Sequence, residues 1–501
     1  MIGSGYWRSS AAANKVMRCT NDPLVAAAIS QSEIKAKVVM TQLKTVLDSA
    51  IEFPDEKQSN AIREIIHRNE PRSLRTYTPT LAVLARSEGC YHFTPEGRKL
   101  ADFTSGVLVT NLGHHPTRWW QRVQNYLGLD QLDDNKPFAN AVTLSAYNAV
   151  TELESSATER LLSNLRAQPG GGRMEQVVWA ASGSEAIQKS LWACLSRRKE
   201  SDVILATRHG FHGKKGLAGA ATGCEIDKER DARVRFIEFP REQCSSIQRR
   251  REPLDLEPFQ TELAQVADEF GKRLCCLITE PYLGGGGSYH PQYEYLQLLE
   301  QFCRQHDMAF ILDEVQANFG RTGNMYAFTT YGVEPDIVVL GKGMANGVPV
   351  DAAVGRSDLF ANMNYGETSD TWSAHPLGCA AVLATLDAFE TEDILGHAAE
   401  LAKVIETGLV RLTELAAIAS VRGEGAVWGI ECAAIGERTA EEVANAIVEA
   451  CYLGDSGGRA IHLLGPLAGK VIRIAPPLVM PLDEAKQYFD TMYEITAECF
   501  A

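Results

Sequence analysis

Lys342 closes the apolar run Val338-Val339-Leu340-Gly341 and is followed by Gly343-Met344, so a charged amine ends a segment that otherwise reads as a buried strand. Twenty-nine positions earlier Asp313 ends a second apolar run, Phe310-Ile311-Leu312, and opens Asp313-Glu314-Val315-Gln316. An isolated Lys amine can form a Schiff base with an aldehyde, and a buried carboxylate can keep a pyridine nitrogen protonated so that the ring accepts electrons. The two together suit pyridoxal 5'-phosphate. Lys342 would carry the cofactor at rest and, once displaced by substrate, move a proton between the substrate carbon and the cofactor. A Lys between two glycines at the end of an apolar strand has no good packing explanation.

Ser182-Gly183-Ser184-Glu185-Ala186 follows another apolar run and opens a helix. Backbone N–H groups and the Ser184 hydroxyl at such a terminus can meet a phosphate. The same residues could form an ordinary N-cap supported by a Glu, and that alternative stays open.

Asp313-Glu314-Val315-Gln316, Gly341-Lys342-Gly343 and Arg473-Ile474-Ala475-Pro476-Pro477-Leu478 together resemble the class III aminotransferases, fold-type-I pyridoxal phosphate enzymes that include ornithine, 4-aminobutyrate and ω-amino acid aminotransferases. The resemblance runs from about Glu88 to Glu498. It implies that Gly183 and Ser184 hold the cofactor phosphate, that Phe211 stacks on one face of the pyridine ring and Val315 covers the other, and that Gln316 bonds the phenolic oxygen. It also implies that Glu280 is an active-site carboxylate with a supporting role and that Arg473 grips a substrate carboxylate in two places, as a guanidinium can. Thr371, in Thr371-Trp372-Ser373-Ala374-His375-Pro376, falls where family members reach the phosphate of a neighbouring subunit, so a homodimer with shared active sites is implied.

Three departures from the family pattern bear on substrate. Gly285 stands where members that use ornithine or 4-aminobutyrate often place a Glu to mask the Arg, which leans toward other ω-amino acids or amines with pyruvate-like acceptors. Residues 372–375 replace the usual Phe-Gly-Gly-Asn. Gly113-His114-His115-Pro116 is one residue short of the family segment. The adjacent His114 and His115 invite a metal reading, but neighbouring side chains seldom converge on one ion and no carboxylate cluster accompanies them in sequence, so no metal site is expected.

The elements that must position these groups follow from hydrophobic pattern. Continuous apolar runs at 177–180, 203–205, 274–278, 310–312 and 337–340 alternate with helical stretches, as expected for strands covered on both faces. The expectation is an α/β fold with a mostly parallel central sheet in a large domain, residues 88–375, opened by a ribbon around Gly89–Phe103. A smaller α+β domain, 376–501, would take strands from 420–423, 427–431 and 471–474. Residues 1–87 read as a helical extension, with apolar spacing at Ile34, Val38, Leu43, Val46 and Leu47.

The 501 residues are 45% hydrophobic and 23% charged, which suits a globular enzyme, and a formal charge of −15 argues against nucleic acid or an anionic membrane surface as partner. No apolar stretch approaches the roughly 20 residues of a membrane helix. Twelve scattered cysteines without a Cys-x-x-Cys pair suggest neither zinc nor a disulfide framework, and a reducing compartment. The first 21 residues carry Arg8, Lys15 and Arg18 and no acid; a cytosolic extension is preferred, with an organellar leader as the alternative.

The resulting expectation is an aminotransferase that moves an amino group from an ω-amino acid, diamine or related amine to a 2-oxo acid. Decarboxylase or aminomutase chemistry on the same Lys342 and Asp313 is the alternative, since the bond cleaved depends on its angle to the ring, followed by a non-catalytic binding protein of the same fold.

Overall fold

The computed structural model describes residues 50–129, 141–223, 230–466 and 468–500. The expected helical spacing at 34–47 and the leader-like segment at 1–21 lie outside the described residues. Two compact units divide at Arg75 and Thr76. In the first, the helix Lys57–Asn69 is organised by a buried ion pair between Arg63 and Glu56 at 2.7 Å.

The second unit is built on a seven-stranded sheet. Its strands, in chain order among the fourteen described, are β4 (Gln176–Ala180), β5 (Val203–Thr207), β6 (Val234–Ile237), β7 (Leu274–Thr279), β8 (Ala309–Asp313), β9 (Ile337–Leu340) and β10 (Asp351–Gly355), arranged β4-β10-β9-β8-β7-β5-β6. Pairs β9-β8, β8-β7, β7-β5 and β5-β6 are parallel, and β10 alone runs antiparallel, to β4 and β9. The apolar runs of the sequence are these strands: every residue of β5, β7, β8 and β9 is buried. Burial on both faces removes the alternating pattern and leaves side-chain choice to packing.

Strands β6 and β10 were not anticipated. β6 is four residues with an exposed Arg235, and β10 reads Asp-Ala-Ala-Val-Gly, too small and too polar at its start to register as an apolar run.

The ribbon forms a second sheet from β1 (Arg86–Glu88), β2 (Tyr91–Phe93) and β3 (Lys99–Asp102), joined in parallel by β13 (Ala460–His462) from the far end of the chain. A third sheet orders β11 (Ile418–Glu424), β12 (Val427–Cys432) and β14 (Val471–Ile474) antiparallel. Arg321, fully buried, ties these parts together by donating to the carbonyls of Ala426 and Pro476 and to the side chains of Ser105 and Asn111. Ten described cysteines are free thiols and nine are buried. Among the described residues no helix is long and apolar enough to cross a membrane.

Candidate active site

A cavity of about 370 Å³ opens at the carboxyl ends of the parallel strands, where βα loops converge and ligands of such sheets bind. The register aligns those ends: Thr279 lies opposite Leu312, Asp313 opposite Val339, and Leu340 opposite Ala352. Gly183, Ser184, Phe211, Glu280, Asp313, Val315, Gln316 and Lys342 all line the cavity. Thr371 and Arg473 do not.

The four residues after β8 take separate tasks. Asp313 accepts from His212 Nδ1 at 2.8 Å and from the backbone N–H of Val315 at 3.1 Å. Glu314 turns away, fully buried, to accept from the N–H groups of Ala327 and Phe328, and burial pushes its carboxyl up to about 8. Val315 faces the helix start at Gly183. Gln316 packs beside Gly284, and its Oε1 is buried with no partner.

Glu280 accepts from the N–H groups of Phe211 at 2.8 Å and Gly284 at 3.0 Å, so one carboxylate anchors both the aromatic and the glycine loop. Burial raises its carboxyl to about 7, against the pull of nearby His212. The loop is also held from outside: Arg473, on β14, donates to the Gly284 carbonyl at 2.5 Å, and Arg422, on β11, donates to that of Gly287 at 2.9 Å. Arg473 is 3% exposed and its Nε is buried without a partner.

At the start of the Gly183–Arg197 helix, Ser182 accepts from the Glu185 N–H while Glu185 reaches back to the Ala181 N–H at 3.0 Å. The cap is therefore real. It leaves Gly183 and Ser184 on the cavity wall, so the two readings of this segment coexist. Thr371 is exposed, its segment pinned to the same helix by the Lys189–Asp370 ion pair at 2.6 Å.

Lys342 adopts φ 47°, a left-handed conformation that a non-glycine residue holds only at a cost and that is often seen at functional positions. Burial lowers the pKa of its amine, while Asp313 and Asp351 oppose that shift. One group was missed from sequence. His212, which the segment His209-Gly210-Phe211-His212-Gly213 places near the site as a structural residue, supplies a partner for Asp313. Asp351 was that group and had no signal: because β10 runs antiparallel, its first residue pairs with Ala180 at the carboxyl end of β4 and lies one position beyond the Ala352–Leu340 pair at that of β9. Its carboxyl packs on Gly341 and Gly183, and burial raises it to about 7.

The lining thus offers a helix start for a phosphate, an acid fixed by an imidazole, an unpartnered amide oxygen and a buried amine. Residues 73–496 match the family described as aminotransferase class-III. The chain belongs to that family. An acetylornithine aminotransferase of Methanothermobacter thermautotrophicus is 28% identical over 440 residues, covering 87% of this chain and 99% of the relative. A probable 4-aminobutyrate aminotransferase of Bacillus subtilis is 26% identical, covering 80% of this chain and 89% of its own length. Among solved structures, an amine transaminase from an uncultivated Pseudomonas species in a pyridoxal-phosphate-bound form superposes with a TM-score of 0.71 at 25% identity, covering 86% of this chain and 96% of that one. This class III aminotransferase is a pyridoxal-phosphate-dependent transaminase with the α/β fold expected. The Gln316 side-chain amide and the helix start on the cavity wall are features that the cofactor's phenolic oxygen and phosphate would complete.

Proposed function

We propose that the enzyme moves an amino group from an ω-amino acid, diamine or related amine to a 2-oxo acid, with Lys342 and Asp313 as its catalytic pair. The supporting observation is that both line one cavity, the acid fixed by His212 and the amine held below its ordinary pKa by burial. Bound pyridoxal phosphate supplies the electron sink for the transfer.

Gly183 and Ser184 would hold the phosphate through backbone N–H groups and a hydroxyl. Asp313, held by His212, would keep the ring nitrogen protonated. Phe211 and Val315 would hold the ring, and Gln316 would bond its phenolic oxygen. The Lys342 amine takes a proton from the substrate carbon and returns it one position along, a task helped by a lowered pKa because a neutral amine is the base. Glu280 holds Phe211 and the 284–287 loop in place. Arg473 is read as the grip for a substrate carboxylate from behind the 284–287 loop, where it donates to the Gly284 carbonyl, and with Gly285 in that loop no side chain at that position masks it.

The active enzyme is read as a cytosolic homodimer in which Thr371 serves the partner's cavity. Thr371 lies outside its own chain's cavity beside the exposed Trp372, with Tyr365, Leu144, Tyr147 and Val150 also exposed, and large exposed apolar side chains in such number mark association surfaces. Nine buried free thiols fit a reducing compartment.

The test is an absorbance titration of the holoenzyme with amines, ω-amino acids and ornithine, then with 2-oxo acids. Conversion of the visible cofactor band to the shorter-wavelength pyridoxamine band, reversed by an oxo acid, is expected. A bound cofactor that no donor converts would point to decarboxylase or mutase chemistry. In Lys342→Ala, loss of the borohydride-trappable adduct is expected, and an unchanged adduct would remove Lys342 from its role.

A further inference from the structure

We propose that His92, Asp102 and His114 form a binding site for a divalent transition-metal ion, with zinc the best match, that clamps the N-terminal ribbon and lies outside the active-site cavity. The ligand atoms of the three side chains lie within 4.8 Å of one another. His114 Nε2 is 2.8 Å and His92 Nε2 3.6 Å from the same oxygen, Asp102 Oδ2. None of the three lines the active-site cavity.

The backbone explains the convergence. His92 on β2 and Asp102 at the end of β3 are neighbours in one hairpin, where the Asp102 N–H donates to the Cys90 carbonyl at 2.9 Å. His114 arrives from the following loop, which is fastened to the ribbon by a two-way bridge between Gly89 and His114. His115, its neighbour in sequence, points elsewhere and lies parallel to the Trp120 ring. As the sequence led one to expect, the adjacent His115 does not converge with His114; the carboxylate beside His114 comes from twelve positions upstream.

The outer contacts orient the donors as metal ligands are usually oriented. Ser87 Oγ sits 2.7 Å from His92 Nδ1, which leaves Nε2 facing Asp102. The N–H and hydroxyl of Thr104 both donate to Asp102 Oδ1, at 2.8 and 2.6 Å, leaving Oδ2 for the cluster. A third imidazole, His462 on β13, lies opposite Asp102 in the sheet register and edge-on to His92, and its Nδ1 is buried with no partner. One imidazolium would be enough to neutralise one buried carboxylate. Three imidazoles around it exceed that need, whereas a metal ion uses two of them directly.

Two imidazoles and one carboxylate form a recognised donor set for zinc and for non-haem iron, and lack the oxygen ligands that calcium or magnesium requires. Zinc–ligand bonds of about 2.0–2.2 Å need ligand separations of roughly 3.3 Å. The two spacings to Asp102 Oδ2, 2.8 and 3.6 Å, lie on either side of that value.

The experiment is titration of EDTA-treated holoenzyme with cobalt(II), read by its visible d–d absorption and confirmed by zinc displacement and metal analysis. One equivalent per chain is expected, with a rise in melting temperature and no change in transamination rate. His114→Gln should abolish the spectrum. Ser87→Ala, which keeps all three ligands, should weaken binding roughly 10- to 100-fold. If His114→Gln fails to fold, Ser87→Ala decides alone. No cobalt spectrum in the folded wild type, or a spectrum unchanged in Ser87→Ala and in folded His114→Gln, would overturn the site.

Discussion

Replacing Asp351 by Asn separates an acid's charge from its shape at the place where β10 meets the helix start. Burial raises the Asp351 carboxyl from an ordinary 3.8 to about 7. A folded state that holds its proton more tightly than the unfolded chain loses stability as pH rises from the unfolded pKa to the folded one, and the penalty is constant above that. About three pH units correspond to a ceiling of about 4 kcal/mol at pH 8, and to nothing near pH 4. Asn carries no such penalty. Cofactor-free Asp351→Asn is therefore expected to match the wild type near pH 4–5 and to exceed it in denaturant stability at pH 8. Glu280 and Glu314 are raised in the same direction and remain in the variant, whereas Lys342, whose charged amine Asp351 favours, responds with it, so the difference between the two proteins reports the Asp351–Lys342 pair. Affinity supplies a second reading. A carboxylate beside Gly183 repels an anion at the helix start, and one like charge at ~6 Å costs about 3 kcal/mol at an effective dielectric of ~20. Pyridoxal phosphate should therefore bind the variant more tightly at pH 8, on the order of tenfold or more, with little gain at pH 5.5. Parallel pH profiles for both proteins, in stability and in cofactor affinity, would refute the placement of a buried acid against the phosphate cradle.

Three further outcomes are expected. His212→Phe removes a hydrogen bond to a charged group, worth about 1.5–3 kcal/mol, so equilibrium dialysis should show cofactor affinity lower on the order of tenfold, whereas unchanged affinity would make His212 a packing residue. Arg473→Gln should raise KM for carboxylate-bearing donors roughly 10- to 100-fold in the first half-reaction and leave simple amines unaffected, because only the former use the guanidinium. Lys189→Met removes donors to Asp370, the Trp179 carbonyl and Ser373, which should destabilise the chain by about 1–2 kcal/mol in urea melts and loosen the segment that carries Thr371.

The strands that carry Asp313 and Lys342 were legible because burial on both faces demands unbroken apolar residues, and a charge at the end of such a run stands out. The capped helix start was legible for a similar reason: Ser182, Gly183 and Glu185 are local signals that act within one turn. Strand β13 was not, since three residues of no distinctive pattern take their strand state from pairing with β3. The same holds for β10, whose small residues are set by the close approach of β4 and β9.

What the amino-acid order determined alone is therefore the set of groups whose meaning is local: the lysine and acid at strand ends, the capped helix start, and the family to which their combination points. What only the tertiary structure decided is which distant groups meet. His212 reaches Asp313 across 101 positions, Arg473 reaches the glycine loop across 189, and His92, Asp102, His114 and His462 gather from three strands and a loop. Asp351 becomes an active-site acid solely because one strand runs against the others. Local signals are written in neighbouring residues, whereas strand order and direction are settled by how whole layers pack, and the chemistry that depends on them is invisible until the sheet is assembled.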